Sequence, residues 1–157
     1  MPADVFPILS PVSGRLCLPS TVPANAFSQN RLLGQGPIIE VTGNQLVAPA
    51  SGRLIQASAS GDFLVLKLNG GVELVMLLGN GDCFDHHSAL KRHYRAADAV
   101  NAGDVLLTLN QALLRGREPE QRMLRLLVNT SAPLRWAQRG SVSALDKVIF
   151  YEDNELT

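Results

Sequence analysis

The residues best equipped for chemistry lie close together. All three histidines of the chain fall in one segment, Asp82-Cys83-Phe84-Asp85-His86-His87 and, a little further on, His93. Cys83, His86 and His87 are residue types that bind zinc. Any one of the histidines has the lone pair that a phosphoryl acceptor needs. Cys83 beside His86 also has the makings of a thiolate–imidazole pair. Against each reading stands the spacing. It matches no structural zinc pattern, adjacent histidines on an extended segment point opposite ways, and no third residue is placed to orient a nucleophile. A polar loop is the plainer expectation.

The stretch that must position such chemistry is Gly71-Val-Glu-Leu-Val-Met-Leu-Leu-Gly79. It is short, apolar and bounded by glycine, the pattern of a strand buried on most of both faces. Side chains alternate across a strand. Val72, Leu74, Met76 and Leu78 therefore share one face, and Glu73, Val75 and Leu77 the other. A partly exposed carboxylate is the expectation for Glu73.

The totals bound the class. A chain of 157 residues predicts one domain, 1–157, with 1–9 as an N-terminal arm and 152–157 as a frayed acidic tail. Fourteen basic residues balance 14 acidic ones, so neither a nucleic-acid nor an acidic-membrane footprint is expected. Arg115, Arg117, Arg122 and Arg125, interleaved with Glu118 and Glu120, read as a solvated surface. Cys17 and Cys83 are the only cysteines, and they suit two reduced thiols. The first residues lack the basic and apolar regions of a signal peptide, and no apolar run approaches the ~20 residues of a membrane span. A cytoplasmic location without membrane insertion is the expectation.

Gly and Pro punctuate the first half, which predicts many short strands. The candidates are Gly14–Leu18, Pro37–Val41, Gln45–Ala48, Gly52–Ala57, Asp62–Leu68, Gly71–Leu78, Val105–Leu109, Met123–Val128 and Lys147–Tyr151. Asn69-Gly70 is a tight-hairpin signal between the fifth and sixth of these. Short helices are expected within His87–Ala97 and Asn110–Arg117. Asn101-Ala102-Gly103-Asp104 reads as a turn. One motif occurs twice: Ser10-Pro11-Val12-Ser13-Gly14-Arg15-Leu16 and Ala48-Pro49-Ala50-Ser51-Gly52-Arg53-Leu54. It predicts two similar strand-turn units, with Gly supplying a positive φ before each strand.

Several of these pieces together resemble the glucose-type enzyme IIA of the bacterial sugar phosphotransferase system. They are Ser10–Gly14, the block Val41-Thr42-Gly43-Asn44-Gln45-Leu46-Val47-Ala48-Pro49-Ala50-Ser51-Gly52, Gly71–Leu74, Ala102–Asp104 and Gly140–Val142. The resemblance implies an all-β fold, a flattened antiparallel barrel or sandwich with a duplicated strand-turn motif and one or two short helices. It implies a phosphoryl group received from a histidine phosphocarrier protein and passed to a sugar-specific membrane component, with no cofactor. It also places Leu77 where the family carries its phosphoacceptor histidine and Asp62 where it carries a second histidine. Leucine has no lone pair, and an ionised Asp62 accepts but does not donate. Loss of phosphocarrier activity is therefore expected.

The resemblance further implies a concave face that docks partners, with Phe27, Leu32, Leu33, Leu64, Val75 and Leu77 as counterparts here. With a leucine at its centre that face is either an exposed apolar patch suited to docking or, with Leu77 simply buried, a closed one. The leading expectation is a regulatory or protein-docking module. Its partners would be the histidine phosphocarrier protein, a sugar transporter component or a regulated enzyme. The alternatives are an active phosphocarrier using His86, His87 or His93, and a ligand-binding β-barrel domain unrelated to phosphotransfer. The fold also resembles that of zinc peptidases, which need a His-x-His pair that is missing from this chain.

Overall fold

The computed structural model describes residues 8–17, 36–58, 63–68, 71–79, 90–94, 99–112, 122–130, 134–136 and 140–151. In chain order the strands are β1 (Ile8–Leu9), β2 (Gly14–Cys17), β3 (Ile38–Val41), β4 (Gln45–Val47), β5 (Gly52–Ala57), β6 (Phe63–Leu68) and β7 (Glu73–Leu78). They continue with β8 (Leu90–Arg92), β9 (Ala99–Val100), β10 (Val105–Leu109), β11 (Met123–Asn129), β12 (Leu134–Trp136), β13 (Gly140–Val142) and β14 (Lys147–Tyr151).

The strands form one eight-stranded sheet, ordered β13-β2-β3-β11-β7-β6-β5-β9, and two three-stranded sheets, β1-β14-β12 and β4-β10-β8. Every pairing is antiparallel. This is the all-β antiparallel architecture that the family resemblance implies. One face of the large sheet contributes Leu16, Ile39, Leu66, Leu74, Met76, Leu78, Leu124 and Leu126 to the main core, together with Leu46 and Leu107 of the small β4-β10-β8 sheet.

The duplication extends well beyond the sequence motif. The eight-strand order is symmetric about its centre when β13 is matched with β9, β2 with β5, β3 with β6 and β11 with β7. The two small sheets match in the same way, β1-β14-β12 with β4-β10-β8. Gly14 stands opposite Val142 and Val41, and Gly52 opposite Val100 and Leu68. The two units clasp each other reciprocally. Leu9 donates its N–H to the Pro49 carbonyl at 3.0 Å, and Val47 donates to the Pro11 carbonyl at 2.8 Å.

Glycine opens each unit for a reason other than the expected one. Neither Gly14 nor Gly52 is among the positive-φ residues. Instead, a Cβ on Gly14 would lie 2.1 Å from the Glu40 carbonyl oxygen, and one on Gly52 would lie 2.4 Å from that of Lys67. Close backbone approach excludes any side chain there.

One further expectation changes. The segment predicted to carry a helix over His87–Ala97 holds strand β8, pinned by its register to Leu107, Thr108 and Leu109 of β10. A sheet partner outweighs a weak helical pattern. Gln111 and Ala112 are helical, within the second predicted helix; positions 113–117 lie outside the described residues. The short strands β1, β9, β12 and β13 carry too few residues to show an alternating pattern, and sequence reasoning missed them.

Candidate functional site around Leu77

Strand β7 lies in the middle of the large sheet, between β6 and β11. Leu77 stands opposite Phe63 on β6 and Arg125 on β11. Val75 stands between Val65 and Leu127, and Glu73 between Lys67 and Asn129. Since side chains alternate, these residues share the sheet face turned away from the main core. Val65, Val75 and Leu127 form a second small apolar cluster there, with Phe63 packed against it.

This face is closed around its centre. Leu77 is 0% exposed and Val75 is buried. Of the two readings of this face the structure shows the closed one: the docking patch at Leu77 and Val75 is corrected, and both are packing residues in this structure. Glu73 is half-buried, near the expectation for it.

Leu64 is corrected in a different way. It lies in the main core, opposite Met76, and so on the other side of the sheet from Leu77. The cause is the hairpin. Leu68 donates to the Val72 carbonyl at 2.7 Å, and Gly71 donates to the Leu68 carbonyl at 2.9 Å with φ +92°. The connection thus spans positions 69–71 rather than the two residues of the tightest hairpin. Its last residue takes the left-handed backbone that glycine allows. One extra loop residue shifts the register by one and turns every side chain to the opposite face. Phe63 thereby takes the place opposite Leu77.

Arg125 is the site residue that the sequence reading missed. It is 2% exposed, directly across from Leu77. Its Nη1 lies 3.4 Å from the carbonyl oxygen of Gly79, just past the end of β7. Gly79 itself has φ +70° and donates its N–H to the Met123 carbonyl at 2.9 Å. The expectation of a solvated arginine stretch fails for Arg125 because its neighbours Leu124 and Leu126 belong to an interior strand. The alternation Met123-Arg125-Leu127 was the available signal. Arg122, also placed on that surface, has a side chain only 23% exposed.

His93 is exposed and lies just after β8, in a sheet other than that of Leu77. Its backbone N–H donates to the Leu106 carbonyl at 2.9 Å. Its Nε2 lies 2.7 Å from Thr108 Oγ1. Asp62, Phe27, Leu32, Leu33, Cys83, His86 and His87 lie outside the described residues. Among the described residues no three His, Cys, Asp or Glu side chains converge on a metal position. No helix among them is long and apolar enough to cross a membrane. Cys17 is a free thiol, with Sγ 3.8 Å from Met123 Sδ.

A duplicated antiparallel β fold with this strand order defines a class, and comparison with known proteins identifies it. The family model described as phosphoenolpyruvate-dependent sugar phosphotransferase system, EIIA 1, matches residues 6–132. The chain belongs to that glucose-type EIIA family. It is 36% identical over 110 residues to the glucose-specific EIIBCA component of Corynebacterium glutamicum, covering 70% of this chain and 16% of the relative. It is 28% identical over 108 residues to the glucose-specific EIIA component of Halalkalibacterium halodurans, covering 69% of this chain and 62% of the relative. The chain thus spans about a sixth of the Corynebacterium protein's length and less than two thirds of the Halalkalibacterium protein's. The solved structure of glucose permease IIA from Mycoplasma capricolum superposes with a TM-score of 0.75 at 23% identity. That match covers 90% of this chain and 92% of the solved one, a likeness of fold.

Proposed function

We propose that this chain is an EIIA-family protein that has lost phosphocarrier activity and acts by binding components of the sugar phosphotransferase system. The observation that carries the reading is the side chain at position 77. It is an aliphatic group, wholly buried between Phe63 and the buried Arg125. If the family's phosphoacceptor belongs at this position, two requirements of phosphoryl transfer are unmet: a nucleophilic lone pair and an approach for the donor. Asp62, at the proposed second position, adds an acceptor where a donor is needed. The family implies the histidine phosphocarrier protein and an EIIB component as partners. It also supports a role tied to that system over a ligand-binding barrel unrelated to it. The closed face at Leu77 means that docking would draw on other residues.

A second reading keeps the chemistry and moves it to His93. Its exposed imidazole, hydrogen-bonded to Thr108, favours this version.

The test is intact-mass spectrometry after incubation with phosphoenolpyruvate, enzyme I and the histidine phosphocarrier protein, with an active EIIA alongside. No adduct on this chain is expected. An adduct stable in base, lost in acid and mapped to His86, His87 or His93 would establish the second reading. No association with any phosphotransferase component, in either phosphorylation state, would sink the binding role.

A further inference from the structure

At one end of the pairing between β3 and β11, a cavity of about 220 Å³ is lined by Glu40, Val41, Thr42, Gln111 and Arg122. At ~30 Å³ per water it has room for about seven waters, below the usual volume of a drug-sized pocket. Its wall holds an electrostatic mismatch. The Arg122 side chain is 23% exposed, and its buried Nε has no hydrogen-bond partner among the described residues. Its ion pair with Glu40, Nη2 to Oε2, is 3.7 Å long. That exceeds hydrogen-bond range. The Glu40 carboxylate is already held through its other oxygen by Arg15 Nη2 at 2.7 Å. Two guanidinium groups thus share one carboxylate, and Arg122 is the one left short.

A mostly buried guanidinium with one long ion pair and an unpartnered Nε among the described residues calls for an explanation. A planar carboxylate matches its fork of donors better than any neutral group. The rest of the lining adds polar groups of the right kind. Gln111 gives its amide N–H to the Gly43 carbonyl, which leaves its own carbonyl oxygen as an acceptor. Thr42 Oγ1 makes only a long 3.4 Å contact to the Ser13 carbonyl. We propose that this cavity binds a small hydroxycarboxylate, its carboxylate on Arg122 and its hydroxyl between Thr42 and Gln111. A monoanion suits the site better than phosphate, because Glu40 repels a second negative charge.

The site stands apart from the reading of Leu77, and the phosphorylation assay leaves it untouched. The experiment is a ¹H–¹⁵N NMR titration of the full chain with glycolate, with methyl glycolate and inorganic phosphate as controls. Saturable shifts at the Val41, Thr42 and Gln111 amides are expected with glycolate and not with its neutral ester. Arg122→Gln weakens glycolate binding roughly tenfold or more, whereas Glu40→Gln strengthens it. The spectra of both variants away from the cavity report that the fold is kept. Silence with glycolate, equal binding of the ester, binding of phosphate alone, or unchanged affinity in Arg122→Gln would each overturn the proposal.

Discussion

Gly103 and Leu145 occupy the same position in two copies of one turn, at φ +94° and φ +75°. In the first copy Asp104 N–H donates to the Asn101 carbonyl and the Asn101 N–H to Asp104 Oδ2; in the second, Asp146 and Ser143 do the same. Ser51 Oγ accepts from Ala102 N–H in one, and Ser13 Oγ from Ala144 N–H in the other. The turns also meet: a Cβ on Gly103 would lie 3.6 Å from Leu145 Cδ1. Leucine in this backbone region carries a cost of about 1–2 kcal/mol that glycine does not. Leu145 is also 44% exposed, so burial returns little for it.

Exchanging these two residues therefore has opposite effects. Leu145→Gly removes the strain and loses part of the gain to a freer unfolded chain, for a net stabilisation of up to about 1 kcal/mol. Gly103→Ala costs about 1–2 kcal/mol, although space for the methyl exists. Urea denaturation of both variants measures the difference. Equal midpoints for the two would show that the backbone angle carries no such penalty.

The paired aspartates give a second prediction. Asp104→Ala and Asp146→Ala each remove one side-chain-to-backbone hydrogen bond, at 2.9 and 2.8 Å. Each should cost about 1 kcal/mol. A loss in one variant and none in the other, by thermal unfolding, would break the equivalence of the two turns.

Gly14→Ala and Gly52→Ala should be among the most damaging small substitutions in the chain. Each methyl would collide with a carbonyl oxygen of the adjacent strand, at 2.1 and 2.4 Å. Relief requires the sheet to part, at about 3 kcal/mol or more. Either variant unfolding at the wild-type urea midpoint would contradict the packing described.

Leu77→Ala distinguishes a packing residue from a docking one. Truncating a fully buried leucine costs about 2–5 kcal/mol. Truncating an exposed one changes stability by about 0.5 kcal/mol or less. A large drop in the unfolding midpoint is expected. A midpoint near wild type would restore the exposed face that the sequence suggested.

The sequence by itself determined the class of fold and most of its interior strands. Period-two alternation and Gly or Pro punctuation are local signals, and β5, β10 and β14 follow their expected bounds residue for residue. The repeat of Ser10–Leu16 at Ala48–Leu54 announced the duplication, because a turn's demands on Pro and Gly are written within a few residues. Tertiary structure decided what each face of those strands meets. One extra residue in the hairpin moved Leu64 into the core and Phe63 opposite Leu77, a register choice set by Gly71. The burial of Leu77 and Arg125, and the need for glycine at positions 14 and 52, depend on atoms contributed by strands distant in sequence. Alternation separates the two faces of a strand, and it does not say which of them is covered.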